Sequence, residues 1–278
     1  MMMEIRFNIL NKYIDNFIVC ESTHTHSGAK KKINFNPNEY PLFRHKIIHL
    51  IQEKEPENLI KDHKLKEENL RFNSIQRIAS QRNFIYNSLK HFDQNDYILY
   101  SDNDEIPNLN NFDFQKNKNK ISIFKQQLFY YKFNLSIPNI AWYGSKGCKL
   151  KDLKSIDWLR NIKNKKYNFL RVDTLFSNNR YMNIEIVQSG GWHFSNLKSA
   201  DGLERKYLND ENHSEYATQN YSKEKILNNL KNKTIGYDHS AKSGTEKRFT
   251  ETKLSLVDLT KLPNFLQENK SKYSEWFD

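Results

Sequence analysis

Asp96-Tyr97-Ile98-Leu99-Tyr100-Ser101-Asp102-Asn103-Asp104-Glu105-Ile106-Pro107 runs from a short apolar segment into alternating carboxylates and stops at a proline. The run Tyr97 to Tyr100, flanked by polar residues, predicts a strand buried on both faces of an α/β sheet. Open α/β sheets bind ligands at the carboxyl ends of their strands, where Asp102 and Asp104 fall. In extended chain, residues two apart share a side, so both carboxylates can converge on one ligand. Such oxygen donors suit Mg²⁺ or Mn²⁺, ions that share their coordination with substrate phosphates. Taken alone, the same residues also fit an Asp/Asn-rich turn after a strand.

Upstream, Asn16 to Glu21 predicts a strand ending in a carboxylate, Ser22 to Gly28 a loop, and Lys46 to Ile51 a second strand. A helix is predicted over Glu68 to Phe92, with Ile75, Ile78, Ala79, Ile85, Leu89 and Phe92 as its apolar stripe. Arg82 falls on that stripe and is expected to face the interior. A buried guanidinium needs an anion, here a substrate diphosphate or a carboxylate near Asp102; an arginine snorkelling from the core edge is the alternative. Strand, helix and strand in alternation predict a parallel, Rossmann-like arrangement.

With 278 residues, 37% hydrophobic and 28% charged, the chain is long enough for one large α/β domain and is a folded protein, not a disordered one. Cys20 and Cys148 lack any C-x-x-C partner, which excludes a disulfide framework and a structural zinc site. The net charge of +11 resides largely in Lys/Asn tracts such as Lys116 to Lys120. A basic surface of this kind attracts nucleotide-sugar phosphates, anionic lipid head groups or acidic glycans. No apolar run approaches the ~18 residues of a membrane span, and no signal-peptide pattern opens the chain. The expectation is a cytoplasmic protein with at most peripheral membrane contact.

Downstream, Ile121 to Phe124, Leu128 to Phe133 and Tyr181 to Gln188 predict strands, and Asp201 to Leu208 and Lys223 to Leu230 predict helices. Ser189-Gly190-Gly191-Trp192-His193-Phe194-Ser195-Asn196 forms a second constellation. The glycines would let backbone approach a ligand. His193 could be a third metal ligand beside Asp104 or a packed core residue. Trp192 could stack on a sugar ring or belong to the core.

These pieces, in this order, resemble glycosyltransferase family 17, which contains the β-1,4-mannosyl-glycoprotein N-acetylglucosaminyltransferases. Glu4-Ile5-Arg6-Phe7 is similar to the family's L-E-x-R-L element. Phe17-Ile18-Val19-Cys20-Glu21-Ser22 with Ser27-Gly28 and Lys31 resembles its V-x-x-E segment, and Gln81-Arg82 lies in a helix leading to S-D-x-D-E-I-P at Ser101 to Pro107. Gly191 to Ser195 matches G-W-H-x-S, and Asn212-His213-Ser214-Glu215 resembles a later H-x-E. The resemblance covers roughly residues 4 to 220. It implies a GT-A-like α/β fold, a Rossmann-like mixed sheet flanked by helices, with a single domain over 1–250 and a helix or arm over 251–278. The strand and N-E-L-D segment that precede L-E-x-R-L in the family have no counterpart before Met1-Met2-Met3-Glu4, so the first strand is expected to be missing.

The resemblance further implies a UDP-N-acetylglucosamine donor, Mn²⁺ or Mg²⁺, a glycan acceptor and inversion at the anomeric carbon. Asp104 would bind the metal, Asp102 metal or ribose, and His193 would complete the site or contact the diphosphate. Glu21 is a candidate for the nucleoside, Arg82 or Lys31 for phosphate charge, and Trp192 for a sugar face. An inverting transfer needs a carboxylate to take the acceptor proton; Glu105, Asp173 and Asp201 are the candidates. Two other readings are a catalytically inactive glycan-binding remnant and a basic nucleic-acid-binding protein or metal-dependent nuclease. The last would bind nucleic acid with steep salt dependence, but the scattered lysines match no nucleic-acid motif.

Overall fold

The computed structural model describes the chain except for residues 63–65, 116, 118–119, 169, 175, 219–221 and 237–251. Helix α1 (Met2–Leu10) leads to two parallel strands, β1 (Phe17–Ser22) and β2 (Ile47–Gln52), paired from Phe17 with Ile47 to Ser22 with Gln52. Helix α2 (Glu67–Phe84) tightens into a 3₁₀ segment over Ile85–His91 before β3 (Tyr97–Tyr100) and β4 (Glu105–Pro107). Four strands follow: β5 (Ile121–Phe124), β6 (Gln126–Tyr130), β7 (Leu135–Trp142) and β8 (Lys146–Lys149). Beyond them lie α3 (Ile156–Asn161), β9 (Ile184–Val187), β10 (Gly191–Ser195), α4 (Ala200–Tyr207), α5 (His213–Thr218) and α6 (Lys223–Asn232). Strand β11 (Ser255–Leu256) and helix α7 (Asn264–Glu268) finish the fold. Serine caps explain three of these starts: Ser155, Ser199 and Ser222 accept from the backbone N–H of Trp158, Gly202 and Lys225.

The architecture is mixed α/β, with mixed sheets flanked by helices, consistent with a GT-A-like glycosyltransferase fold. Besides the parallel pair there is a four-stranded sheet in the order β3-β8-β5-β9 and a five-stranded sheet in the order β11-β7-β6-β10-β4. The expected all-parallel progression stops at β3, which pairs antiparallel with β8. As an edge strand it is half-buried along its length, not enclosed on both faces.

Helix α2 also departs from the expected apolar stripe. Ile75 is exposed, and the buried residues of the helix are Asn73 and Ser74. The inward side is polar because it meets polar partners: Asn73 exchanges hydrogen bonds with the backbone of Ile60, and the Gln81 amide donates to the Cys20 carbonyl of β1. Cys20 and Cys148 are free thiols.

Both ends of the chain enter one core. Ile5, Phe7 and Leu10 of α1 pack with Ile106, Phe129 and Phe194 of the five-stranded sheet and with Leu262, Leu266, Tyr273 and Phe277. A second cluster joins β6 and β7 to α4, α5 and α6; a third lies between the four-stranded sheet and α3.

The glycine pair before Trp192 serves backbone packing. A Cβ on Gly191 would lie 2.1 Å from the Ile106 carbonyl oxygen, at φ +122°, and one on Gly190 would lie 2.6 Å from the Lys125 nitrogen. The close approach is therefore between strands, where a ligand was expected. Gly191→Ala is expected to destabilise the fold by about 2–4 kcal/mol through clash and backbone strain. Urea unfolding checks this, and a loss within ~0.5 kcal/mol, the range of an ordinary surface change, would contradict it.

Candidate active site

The turn between β3 and β4 carries Asp102, Asp104 and Glu105 on one continuous piece of backbone. Asp102 is held by cations. Arg160, at the end of α3, donates from Nη2 to Asp102 Oδ2 at 2.8 Å and to Glu105 Oε1 at 3.2 Å. Arg82 of α2 donates to Asp157 at 3.1 Å and to the Tyr100 hydroxyl at 3.1 Å, with its Nη2 3.6 Å from Asp102 Oδ1. Tyr100 in turn donates to Asp102 Oδ1 at 2.6 Å. Burial alone would raise the Asp102 carboxyl, but Arg160 and Arg82 pull it well below the usual carboxylate range. Arg82 thus faces inward and finds carboxylates. Arg6 of α1 reaches the same turn from the other side, donating to the carbonyls of Asp102 and Glu105.

Glu105 is fully buried. Its Oε1 accepts from the Trp142 indole at 2.6 Å, and its Oε2 accepts from the Asp102 backbone N–H at 3.0 Å. Burial raises its carboxyl despite the pull of Arg160. Gly144 makes room for it, since a Cβ there would sit 1.7 Å from Glu105 Oε1. Glu105 therefore braces the turn and has no path to an acceptor hydroxyl.

Beneath Arg160 lies a buried lysine. Lys146 of β8 donates to the carbonyls of Arg160 at 2.7 Å and Ile162 at 2.5 Å, closing the end of α3. Burial, and then the nearby Arg160, lower its amine to about 7. Two N–H groups of a neutral amine suffice for the two carbonyls. The native form sheds its proton before the unfolded form, whose value is near ~10.4. Lys146 therefore adds stability as pH rises from about 7 towards 10, and adds least below 7. Unfolding free energies of wild type and Lys146→Met should diverge more at pH 9 than at pH 7; equal gaps would contradict this.

Asp104 stands apart from the arginine clasp. Its Oδ2 lies 3.4 Å from His193 Nε2, with the two side chains 25% and 9% exposed. Burial works against its charge, but His193 and Lys206 hold the carboxyl below its ordinary value. The His193 ring packs on Trp142 with centroids 4.6 Å apart, and its Nδ1 is buried without a hydrogen-bond partner. Among the described residues no group of three His, Cys, Asp or Glu side chains gathers as a metal cage. One carboxylate and one imidazole nevertheless fit a divalent ion that draws its remaining ligands from phosphate oxygens and water.

The cations facing Asp104 come from the second half of the chain. Lys206 of α4 donates to Asn196 Oδ1 at 2.6 Å, and Asn196, buried with φ +58°, donates to the Tyr130 hydroxyl at 2.6 Å. Burial and then the charge of Lys206 lower the Lys198 amine, which also feels Asp104. His26, on the loop after β1, is held below its ordinary value first by burial, while Asp210 and Asp102 pull it back up.

Other sequence candidates fall elsewhere. Glu21 accepts from Lys31 at 2.5 Å and from the backbone N–H groups of Asn34 at 3.0 Å and Phe35 at 2.9 Å. It folds the loop after β1 and uses Lys31 to do so. Asp201 is exposed at the start of α4 and paired with Lys223. Trp192 points to the opposite face of β10 from His193, its indole donating to the Lys261 carbonyl at 2.6 Å. The Asp173 side chain lies outside the described residues, as does that of Glu215. Arg160, Lys198 and Lys206 enter the site with no motif of their own, whereas Arg6 belongs to the segment Glu4 to Phe7; for Arg160 the sequence signal is the run Ile156 to Arg160, a short apolar turn ending in arginine.

The family model described as Glycosyltransferase family 17 matches residues 1–155. Neither the search of curated proteins nor that of solved structures returned a match.

Proposed function

This chain belongs to glycosyltransferase family 17, and from that premise we propose that it transfers N-acetylglucosamine from UDP-N-acetylglucosamine to a glycan acceptor, with inversion and with Mn²⁺ or Mg²⁺ bound. Membership of the family makes it a glycosyltransferase, with a sugar donor and an acceptor. The observation that carries the finer reading is the Asp104–His193 pair at 3.4 Å, facing Lys206 and outside the arginine clasp. On this reading Asp104 and His193 hold the cation, whose charge offsets that growing on the departing diphosphate.

The charge of Lys206 acts on Asp104 and that of Asp104 on Lys198, so on this reading the two lysines hold the diphosphate oxygens. Asn196 Oδ1 accepts from the Lys206 amine at 2.6 Å and so fixes where that charge is held. Asp102 acts through others: it keeps Arg82 and Arg160 oriented as a cationic wall, and contributes no free oxygen pair to the cation. On this reading neither Glu105, sealed in the interior, nor Asp201, on the surface beside Lys223, serves as the general base.

The test is transfer or hydrolysis of UDP-N-acetylglucosamine with Mn²⁺, run for wild type, Lys206→Ala and Lys206→Arg. Loss of one charge-stabilising contact predicts a fall of roughly 10²-fold in kcat for Lys206→Ala, with partial recovery in Lys206→Arg. Unchanged kcat in Lys206→Ala would remove that residue from the donor site. Saturable donor binding without any turnover by wild type would instead identify a catalytically inactive remnant that retains its donor site.

A further inference from the structure

The face of the five-stranded sheet turned away from the acidic turn carries an open cleft of 1210 Å³. Strand register decides what reaches it. His193 is aligned with Leu128 of β6 and Glu105 of β4, and Trp192 with Gln127 and Ile106. Alternation therefore puts Trp192 and Gln127 on the side opposite His193 and Glu105. Both line the cleft, which α1 and residues 260–268 wall on the far side; Asp102, Asp104 and His193 do not line it.

The chemistry of this lining is specific. Asn108, Asn110, Asn139 and Gln127 line the cleft together with Trp192 and Tyr13; the Tyr13 hydroxyl donates to Asn110 Oδ1, and Asn108 donates to the Ser189 carbonyl at 3.3 Å and accepts from the Asn110 N–H at 3.2 Å. The Trp192 ring is pinned by its bond to the Lys261 carbonyl and is only half-buried. Asn139 is exposed at φ +59°, and β7 shifts register with β6 between Gln127 and Phe129, so its polar side chain is carried at an irregular point of the strand. Each amide both donates and accepts, as vicinal hydroxyls on a sugar do. A tryptophan face supplies the flat apolar surface that the C–H face of a pyranose needs. A nucleic acid would meet Glu268 among the scattered lysines Lys12, Lys125 and Lys261.

We propose that this cleft binds a pyranose oligosaccharide, at a site separate from the acidic turn. It stands whether or not the donor reading holds. The cleft is larger than the ~300–1,000 Å³ of pockets for single small molecules, which suits several linked rings. The site would hold a glycan chain on one face of the sheet while chemistry proceeds on the other.

The experiment is calorimetric titration of the full chain with chitohexaose, cellohexaose and a hyaluronan hexasaccharide. Wild type, Gln127→Ala, Asn264→Ala and Asp104→Ala are compared, and the fold of each variant is checked by thermal unfolding. At least one probe should bind saturably. Loss of one hydrogen-bonding side chain should weaken it by about fivefold in Gln127→Ala or Asn264→Ala, and Asp104→Ala should bind as wild type does. The two alanine variants lie on opposite walls, so one remains informative if the other fails to fold. No saturable binding by any probe, wild-type affinity in both cleft variants, or loss of binding in Asp104→Ala would each overturn the proposal.

Discussion

Replacing Arg160 with methionine is expected to destabilise the protein by about 3–5 kcal/mol near pH 8, the cost of stranding buried charge after removal of one partner. The guanidinium is the common partner of Asp102 at 2.8 Å and Glu105 at 3.2 Å, and Glu105 is fully enclosed. Without it, Glu105 keeps the Trp142 indole and the Asp102 backbone N–H as hydrogen-bond donors, with the charges of Arg6 and His193 nearby. The pH dependence follows from Glu105. Its native carboxyl is already raised, first by burial, and losing Arg160 raises it further. A native acid titrating above its unfolded value, ~4.3, holds its proton longer than the unfolded chain does. Stability therefore falls as pH rises through that window. The deficit of Arg160→Met should be smallest at pH 5 and largest at pH 8. Urea unfolding at both values decides it, and a deficit below 1 kcal/mol at pH 8, or one that does not grow with pH, would show that Arg160 is not what offsets Glu105.

Asp104→Asn is expected to reduce donor turnover by roughly 10²–10³-fold or more, as removal of a group that stabilises developing charge does. It should also weaken Mn²⁺ binding in the presence of UDP. The side chain keeps its shape, and Asp104 lies outside the arginine clasp, so the fold should be little affected. Asp102→Asn provides the contrast. Its carboxylate is engaged by Arg160, Arg82 and Tyr100, so this change should lower thermal stability while leaving Mn²⁺ affinity within about tenfold of wild type, a loss no larger than an outer-shell effect. Equal loss of Mn²⁺ affinity in both variants would place Asp102 on the cation and contradict the division of labour between the two aspartates.

Local signals carried part of this. The apolar run at Tyr97 to Tyr100 and the segments Asp201 to Leu208 and Lys223 to Leu230 each predict the element that forms, because strand patterning and helix signals act within a few residues, as the caps Ser199 and Ser222 also do. Arg82 could be read as inward-facing because its helical position forced the question of an anionic partner. Ile75 departs from the periodic pattern for a related reason: periodicity locates a face of a helix but not what lies opposite, and α2 meets hydrogen-bonding groups of the loop before it and of β1. Glycines before Trp192 signal a close approach, yet only the pairing of β10 with β4 shows that the approaching group is the Ile106 carbonyl.

By itself, then, the sequence determined the acidic turn after a strand, the histidine in the glycine-led segment Gly190 to Ser195, and through their order the family; that this segment is itself a strand, β10, was decided by its pairing with β4 and β6. What each carboxylate does was decided by tertiary structure. Asp102 and Asp104 are two residues apart and locally equivalent, but Arg160 and Arg82 converge on the first, while His193 and Lys206 face the second. Those partners come from α2, α3, β10 and α4, and a charge whose partner is distant in sequence leaves no periodic trace. Electrostatic energy depends on separation in space and on burial, and only the folded chain specifies both.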